Sequence, residues 1–331
     1  MKYYLKKCGF QELGSVGLDG KPRRGRYLMT SMNADVLAIF PPLSRAILND
    51  CAVLPVIPLY TGKKTYCNYV YHNSKFNGGE ARNKRNEYRI YLNKELEAHQ
   101  LYFAAQDIMI LRQAVLQESS DITDEEQAIY YMDVLKDHSS GDYICLSRLV
   151  ESYPISGGYG IYDGELDFFE AKVKEVEAAQ ISQNIVIDKS VTDRIVNSNS
   201  QTQQNLFNPA TFRDFVLAGY GNACAVTGKI TESAFGGSVD VVYIRPRTAG
   251  GSCLPSNGVA LENKLSLPFI QGYFTLSDDY EVRVHPQTAD EYIQSLNLKQ
   301  IRVPPSAFFR PDKGSLQYHR EHIYGAFTKT I

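Results

Sequence analysis

The chain has no apolar run of the roughly 18 residues needed to span a bilayer, so no transmembrane segment is expected. Its first residues, MKYYLKKCGF, lack an apolar core and a small-residue cleavage site. Nothing there argues for export, and a cytoplasmic protein is the expectation. Cysteine pairs are absent too. Cys8, Cys51, Cys67, Cys145, Cys224 and Cys253 stand singly, with no Cys-x-x-Cys spacing. That speaks against a disulfide framework and against a zinc knuckle, and for reduced thiols. No segment recurs at a fixed period, which removes solenoids and propellers.

What is present suits a globular protein of two domains, or three, in 331 residues with 44% apolar and 22% charged composition. The net charge of −2 hides an asymmetry. Residues 1–112 carry 17 Lys and Arg against 9 Asp and Glu, residues 113–180 carry 4 against 15, and residues 181–331 carry 14 against 13. A basic third followed by an acidic segment suggests a polyanion-facing domain joined to something that does not touch the polyanion.

Residues 1–112 read as β-rich. Runs at Tyr66–Tyr71, Tyr88–Leu92 and Asp107–Leu111 are separated by Gly, Asn and Pro clusters, the texture of a barrel or sandwich. Further on, Thr123 and Glu126 form a capping-box pattern that predicts a helix to about Lys136. Asp142–Val150 then reads as a strand. Asp163 opens a helix with Leu166, Phe169, Val173 and Val176 on one face, an acidic connector packed by its apolar stripe. The polar, aperiodic stretch NSNSQTQQN at 197–205 reads as a linker. Domains are therefore expected at 1–150 and 207–331, with a helical connector and linker over 151–206.

Two basic segments stand out in the first domain. One is KPRRGRY, with Lys21, Arg23, Arg24 and Arg26. The other runs from His72 to Asn86 and offers Lys75, Arg82, Lys84 and Arg85 beside the amides of Asn73 and Asn86. Lys and Arg neutralise phosphates, and Arg and Asn can also read base edges. The order YVYHN…RNEYRI…DIMIL resembles the N-terminal effector domain of EcoRII-type restriction enzymes, a B3-like DNA-recognition pseudobarrel, over roughly residues 20–150. The resemblance implies two arms, Lys21–Tyr27 and His72–Asn86, that grip a duplex and read its major groove.

The C-terminal part holds TFRDFVLAGYGNACAVTGKI from Thr211, then VDVVYIRP, SNGVAL, GYFTL and finally YHREHIY. An amphipathic helix, a CAVTG turn, a ββα centre and a closing HR-x-x-x-Tyr phrase resemble, in order, the HNH endonuclease domain of restriction enzymes across 207–327. Such a site needs a histidine base at the end of the first central strand, an Asn to hold the loop, and ligands for one divalent metal. Here the base position falls on Tyr243, which at an ordinary pKa of about 10 is a poor base at neutral pH. The Asn is kept as Asn257. The metal-side positions fall on Leu265 and Ile270, which cannot bind a metal. Glu262, about one turn earlier, could reach a cation, whereas Asp240 faces the other side of its strand from Tyr243.

The expectation is an α+β protein: an N-terminal B3-like β pseudobarrel with flanking helices, and a C-terminal HNH-like ββα domain. It would bind double-stranded DNA by sequence or modification, with an inactive HNH site, in restriction or antiphage defence. No cofactor or metal is expected. The first alternative is a working endonuclease using Mg²⁺ or another divalent metal at a site rebuilt around Tyr243, Asn257 and Glu262. The second is a non-enzymatic scaffold for a protein partner. A palindromic target would imply a homodimer.

Overall fold

The computed structural model describes residues 1–14, 26–74, 86–97, 102–119, 124–152, 158–179, 186–230 and 239–329. The chain is α+β and divides into two compact units, Met1–Gln180 with Ile187–Thr202, and Ile181–Val186 with Gln203–Ile331.

The first unit is organised by strands β1 (Lys2–Lys7), β2 (Tyr27–Thr30), β3 (Cys51–Pro58), β4 (Thr65–His72), β5 (Glu87–Tyr91), β6 (Ile108–Ser119), β7 (Asp124–Leu135) and β8 (Tyr159–Asp163). They form one barrel-like sheet in the order β2-β5-β4-β3-β7-β6-β1-β8. Neighbours pair antiparallel except β3 and β7, which run parallel with Val56 opposite Tyr130. A short helix α1 (Ala34–Leu37) follows β2, with Asn33 as its N-cap.

Side chains alternate across a strand, and here both faces of the sheet are buried. Tyr4, Met109, Leu111, Tyr130, Met132 and Val134 join one apolar cluster with Leu54, Tyr69, Tyr71 and Ile90. Their strand neighbours Tyr3, Leu5, Ile108, Ile110, Ile129 and Tyr131 join a second. Helices α2 (Gly141–Ser152) and α3 (Asp167–Ala179) cover that second face. They contribute Tyr143, Leu146 and Val150, and Phe169, Val173 and Val176. Each such apolar side chain taken from water stabilises the unit by about 1.5–3 kcal/mol.

The acidic residues of α3 are used by the sheet beneath. Glu170 accepts from the Tyr3 hydroxyl at 2.7 Å and pairs with Arg112 at 2.9 Å. Glu177 accepts from the Tyr131 hydroxyl at 2.7 Å, and Lys172 pairs with the buried Asp133 at 2.6 Å. The acidic segment is thus part of the first unit. Helix α4 (Lys189–Val196) also packs on this unit, where Asn68 of β4 donates to the Ser190 carbonyl at 3.2 Å.

Three local expectations are corrected. Residues 124–135, expected as a helix, are strand β7, in register with β6 from Ser119 opposite Asp124 to Ile108 opposite Leu135. Residues 142–150, expected as a strand, lie in α2, whose buried Tyr143, Leu146, Ser147 and Val150 follow a helical period. The linker at 197–205 contains most of helix α5 (Ser200–Leu206).

In the second unit, α6 (Pro209–Gly219) is opened by a reciprocal cap between Asn208 and Thr211 and a proline in the first turn. Strands β9 (Val239–Tyr243) and β10 (Gly258–Glu262) pair antiparallel and lead straight into α7 (Asn263–Ile270). A hairpin of β11 (Phe274–Leu276) and β12 (Val282–Val284), a short α8 (Glu291–Gln294) and α9 (Lys313–His322) complete it. Phe212 and Val216 of α6 pack with Val242, Val259, Leu261, Leu265 and Phe269 in one core. Gly258 is where α6 meets β10, since a Cβ there would lie 2.6 Å from the Val216 side chain.

Candidate functional site

In the first unit, β5 lies between β2 and β4, and both basic segments stem from this three-stranded edge. Tyr27, where the first segment rejoins the sheet, pairs with Tyr91 at one end of β5. His72, where the second leaves it, pairs with Glu87 at the other end. The stems are therefore four residues apart along β5, about 14 Å at 3.4 Å per residue. Lys21, Arg23, Arg24, Lys75, Arg82, Lys84 and Arg85 lie outside the described residues.

The three remaining residues of that set are described, and two of them hold the stems. The Arg26 guanidinium makes paired hydrogen bonds to the Glu97 carboxylate, at 2.7–2.9 Å, and donates to the carbonyls of Leu13 at 2.5 Å and Phe103 at 2.7 Å. It clasps the chain on both sides of the first segment. Asn73 is fully buried. It donates to the Ile47 carbonyl at 3.0 Å and accepts from the Asn49 N–H at 2.7 Å. Asn86 is half-buried, and its amide oxygen is enclosed without a hydrogen-bond partner. The RNEYR phrase also serves the sheet. Arg89 pairs with Glu87 and stacks over the Tyr27 ring at 4.1 Å, while Tyr88 belongs to the core.

In the second unit, Tyr243 ends β9, opposite Gly258. Its ring stacks face to face on Phe212 at 4.1 Å and 3°, and its hydroxyl stands 3.7 Å from the Cys253 sulfur. Asn257, only 1% exposed, ties the intervening loop together. Its amide donates to the carbonyls of Arg245 at 3.0 Å and Ser252 at 2.9 Å and accepts from the Arg245 N–H at 2.9 Å. Glu262 is 3% exposed. It accepts from the Tyr292 hydroxyl at 2.6 Å and pairs with the Lys264 ammonium at 3.3 Å, which itself lies 3.6 Å over the Tyr292 ring.

These three residues do not converge on one point. Asn257 spends its amide on the loop backbone, and Glu262 already has a cation. Leu265 is in the core, and Ile270 is 53% exposed. Among the described residues, no three His, Cys, Asp or Glu side chains lie together as a metal site. The donor set at these positions therefore does not fit a divalent ion. Asp240 pairs with Arg213 at 3.1 Å and Asp278 with Arg320 at 2.7 Å.

The three histidines of the second unit are engaged elsewhere. His319 is wholly buried, stacked on Phe269 at 4.0 Å. Its Nε2 faces the Phe269 carbonyl at 3.1 Å, so it donates there, and Nδ1 accepts from the Thr275 hydroxyl at 2.8 Å. Burial pushes its pKa down to about 4. His322 stacks on Tyr318, and His285 packs edge-on against Tyr324 and Phe327. The partnership of Glu262 with Tyr292, 30 positions away, had no signal in the sequence.

Among the described residues, no helix is long and apolar enough to cross a membrane. Neither a protein-family model nor a curated protein matches the sequence. Among solved structures, the chain is similar to the B3 domain of the UbaLAI restriction endonuclease, in a crystal structure with cognate DNA. That similarity has 16% identity and a TM-score of 0.29 over 48% of this chain and 85% of that one. The chain is also similar to the modification-dependent TagI restriction endonuclease, with 16% identity and a TM-score of 0.30 over 65% of this chain and 75% of that one.

Proposed function

We propose that the chain is a double-stranded DNA-binding protein of the restriction-endonuclease kind, recognising a sequence or a modification in restriction or antiphage defence, with a second unit that does not cut DNA. The observation that carries the reading is the origin of two basic segments, the second also amide-rich, on the β2–β5–β4 edge. Their stems stand about 14 Å apart along the strand direction, close to the roughly 12 Å width of a major groove. In this reading Lys21, Arg23, Arg24, Lys75, Arg82, Lys84 and Arg85 meet phosphates and base edges. Arg26 and Asn73 hold the segments' bases, and Asn86 stands at the foot of the second.

The second unit keeps the strand-strand-helix order β9–β10–α7 and the loop-pinning Asn257, which supports descent from an HNH domain. Tyr243 is stacked where a base would be needed. A cutting reaction at Tyr243, Asn257 and Glu262 would have to break the Asn257 bonds or the Glu262–Lys264 pair first.

The test runs gel-shift and cleavage assays on the same samples of genomic and phage DNA, with Mg²⁺, Mn²⁺, Ni²⁺ or EDTA. The expected result is a shift without cutting. Seven phosphate contacts would weaken binding by about 10³-fold or more between 50 and 200 mM salt. Cutting that EDTA abolishes would replace this reading with the remodelled nuclease. Absence of any salt-sensitive shift would favour a protein scaffold.

A further inference from the structure

Strand β2 is an outer edge of the first unit's sheet, and apolar side chains stand open along it. Met29 is 37% exposed, and Phe10, in the turn that follows β1, is 75% exposed. Met32, just past the end of β2, is exposed as well. Single exposed apolar residues are ordinary. Here the Phe10 turn and Met29 are tied together through one side chain. The Glu12 carboxylate accepts from the Gly9 N–H and from the Met29 N–H, each at 2.8 Å. The Phe10 turn is thereby moored beside Met29. That carboxylate is buried and paired with Lys6 at 3.1 Å, so the mooring adds no open negative charge to the edge.

Register sets the position along the edge. Met29 lies opposite Arg89 of β5, with Tyr91 and Glu87 two residues away on either side. Those two residues mark the stems of the basic segments, so Met29 stands about 7 Å from each along the strand direction. The chain that runs on from the Phe10 turn into the first segment carries Lys21, Arg23 and Arg24. A polyanion drawn onto both segments is brought against the edge between them. In the major groove of a paired duplex, the apolar group on a base edge is the 5-methyl group of a pyrimidine.

We propose that Phe10 and Met29 form an apolar seat for a pyrimidine 5-methyl group, of thymine or of 5-methylcytosine, in the major groove. The proposal rests on the DNA-binding reading. It gives that reading a contact that selects among duplexes, which phosphate contacts do not supply.

The full chain first selects duplexes from randomised pools copied with cytosine or with 5-methylcytosine. The selected duplexes are then remade with deoxyuridine for thymidine, and with cytosine for 5-methylcytosine, so that each source of the methyl group is removed in turn. Gel shifts compare each duplex with its methyl-free form. In the parent, loss of the contacted methyl group should weaken binding about fourfold. Phe10→Ala should bind the methyl-bearing duplex several-fold more weakly and lose the discrimination. It should keep the parent's salt slope, because an apolar contact releases no counterion. Its melting temperature should match the parent's, since the ring is open to water. The chain has no tryptophan, so Phe10→Trp supplies a single fluorophore whose emission should change as duplex binds. Equal binding of both forms by the parent, discrimination kept in Phe10→Ala, or Phe10→Trp emission unmoved by bound duplex would overturn the seat and leave the DNA reading standing. A parent dimer lost in Phe10→Ala would overturn it too, by assigning the edge to a second copy. A parent that shifts no duplex removes both readings.

Discussion

The hydroxyl of Tyr292 donates to the buried carboxylate of Glu262 over 2.6 Å, closing a contact that Lys264 shares from above the ring. A carboxylate so placed is part of the scaffold. Tyr292→Phe removes one donor from a charge that cannot reach water, and the expected cost is about 1–3 kcal/mol. Urea unfolding of the second unit measures it. A Tyr292→Phe protein as stable as the parent would mean that Glu262 is solvated and free for other partners.

The clasp at Arg26 makes a contrasting prediction for the first unit. Arg26→Ala leaves Glu97 with a largely buried charge and two carbonyls without their donor, so destabilisation of about 3–5 kcal/mol is expected. Lys75→Ala or Lys84→Ala should leave the melting temperature nearly unchanged and reduce the salt slope of DNA binding by about one each. Thermal melts beside salt-dependent gel shifts separate the two classes.

Acid should weaken the second unit through His319. Its folded pKa of about 4 lies below the ordinary 6.5, so the unfolded chain takes up a proton that the folded chain refuses. The contribution is fully present above pH 6.5 and is lost as pH falls from there toward 4. Its full size is about 3 kcal/mol at 1.36 kcal/mol per pKa unit. Urea midpoints at pH 7 and pH 5 should differ less in a His319→Gln protein than in the parent.

Asn257 bridges two ends of one loop. Asn257→Ala strands the Arg245 and Ser252 carbonyls and the Arg245 N–H, at an expected cost of about 1–3 kcal/mol. Faster hydrogen exchange at Arg245 would locate the effect in the loop. Unchanged exchange would assign the residue another role.

Sequence and structure agree best where a segment buries one face only. The stripe Phe169, Val173 and Val176 is plain in the sequence because α3 is wet on its other side. Strand β7 was misread because both its faces are covered. From Ile129 to Val134 every residue is buried, so no alternation marks a strand, and Thr123 with Glu126 spells a capping-box pattern at its start. In α2 the aromatic and β-branched residues pointed to a strand, while the spacing of Tyr143, Leu146 and Val150 already carried the helix. Of the candidate site, the loop-holding role of Asn257 was legible because it depends on local chain geometry. The engagement of Glu262 and Arg26 was not, since their partners Tyr292 and Glu97 are distant in the chain.

The clasped stems also bear on how such a protein changes over generations. Arg26 and Asn73 settle the cost of leaving and rejoining the sheet within the scaffold itself. Whatever lies between the stems can then lengthen, shorten or exchange residues with little penalty to folding. On the DNA-binding reading, grafting a foreign loop between Leu13 and Arg26 would change specificity on an unaltered frame.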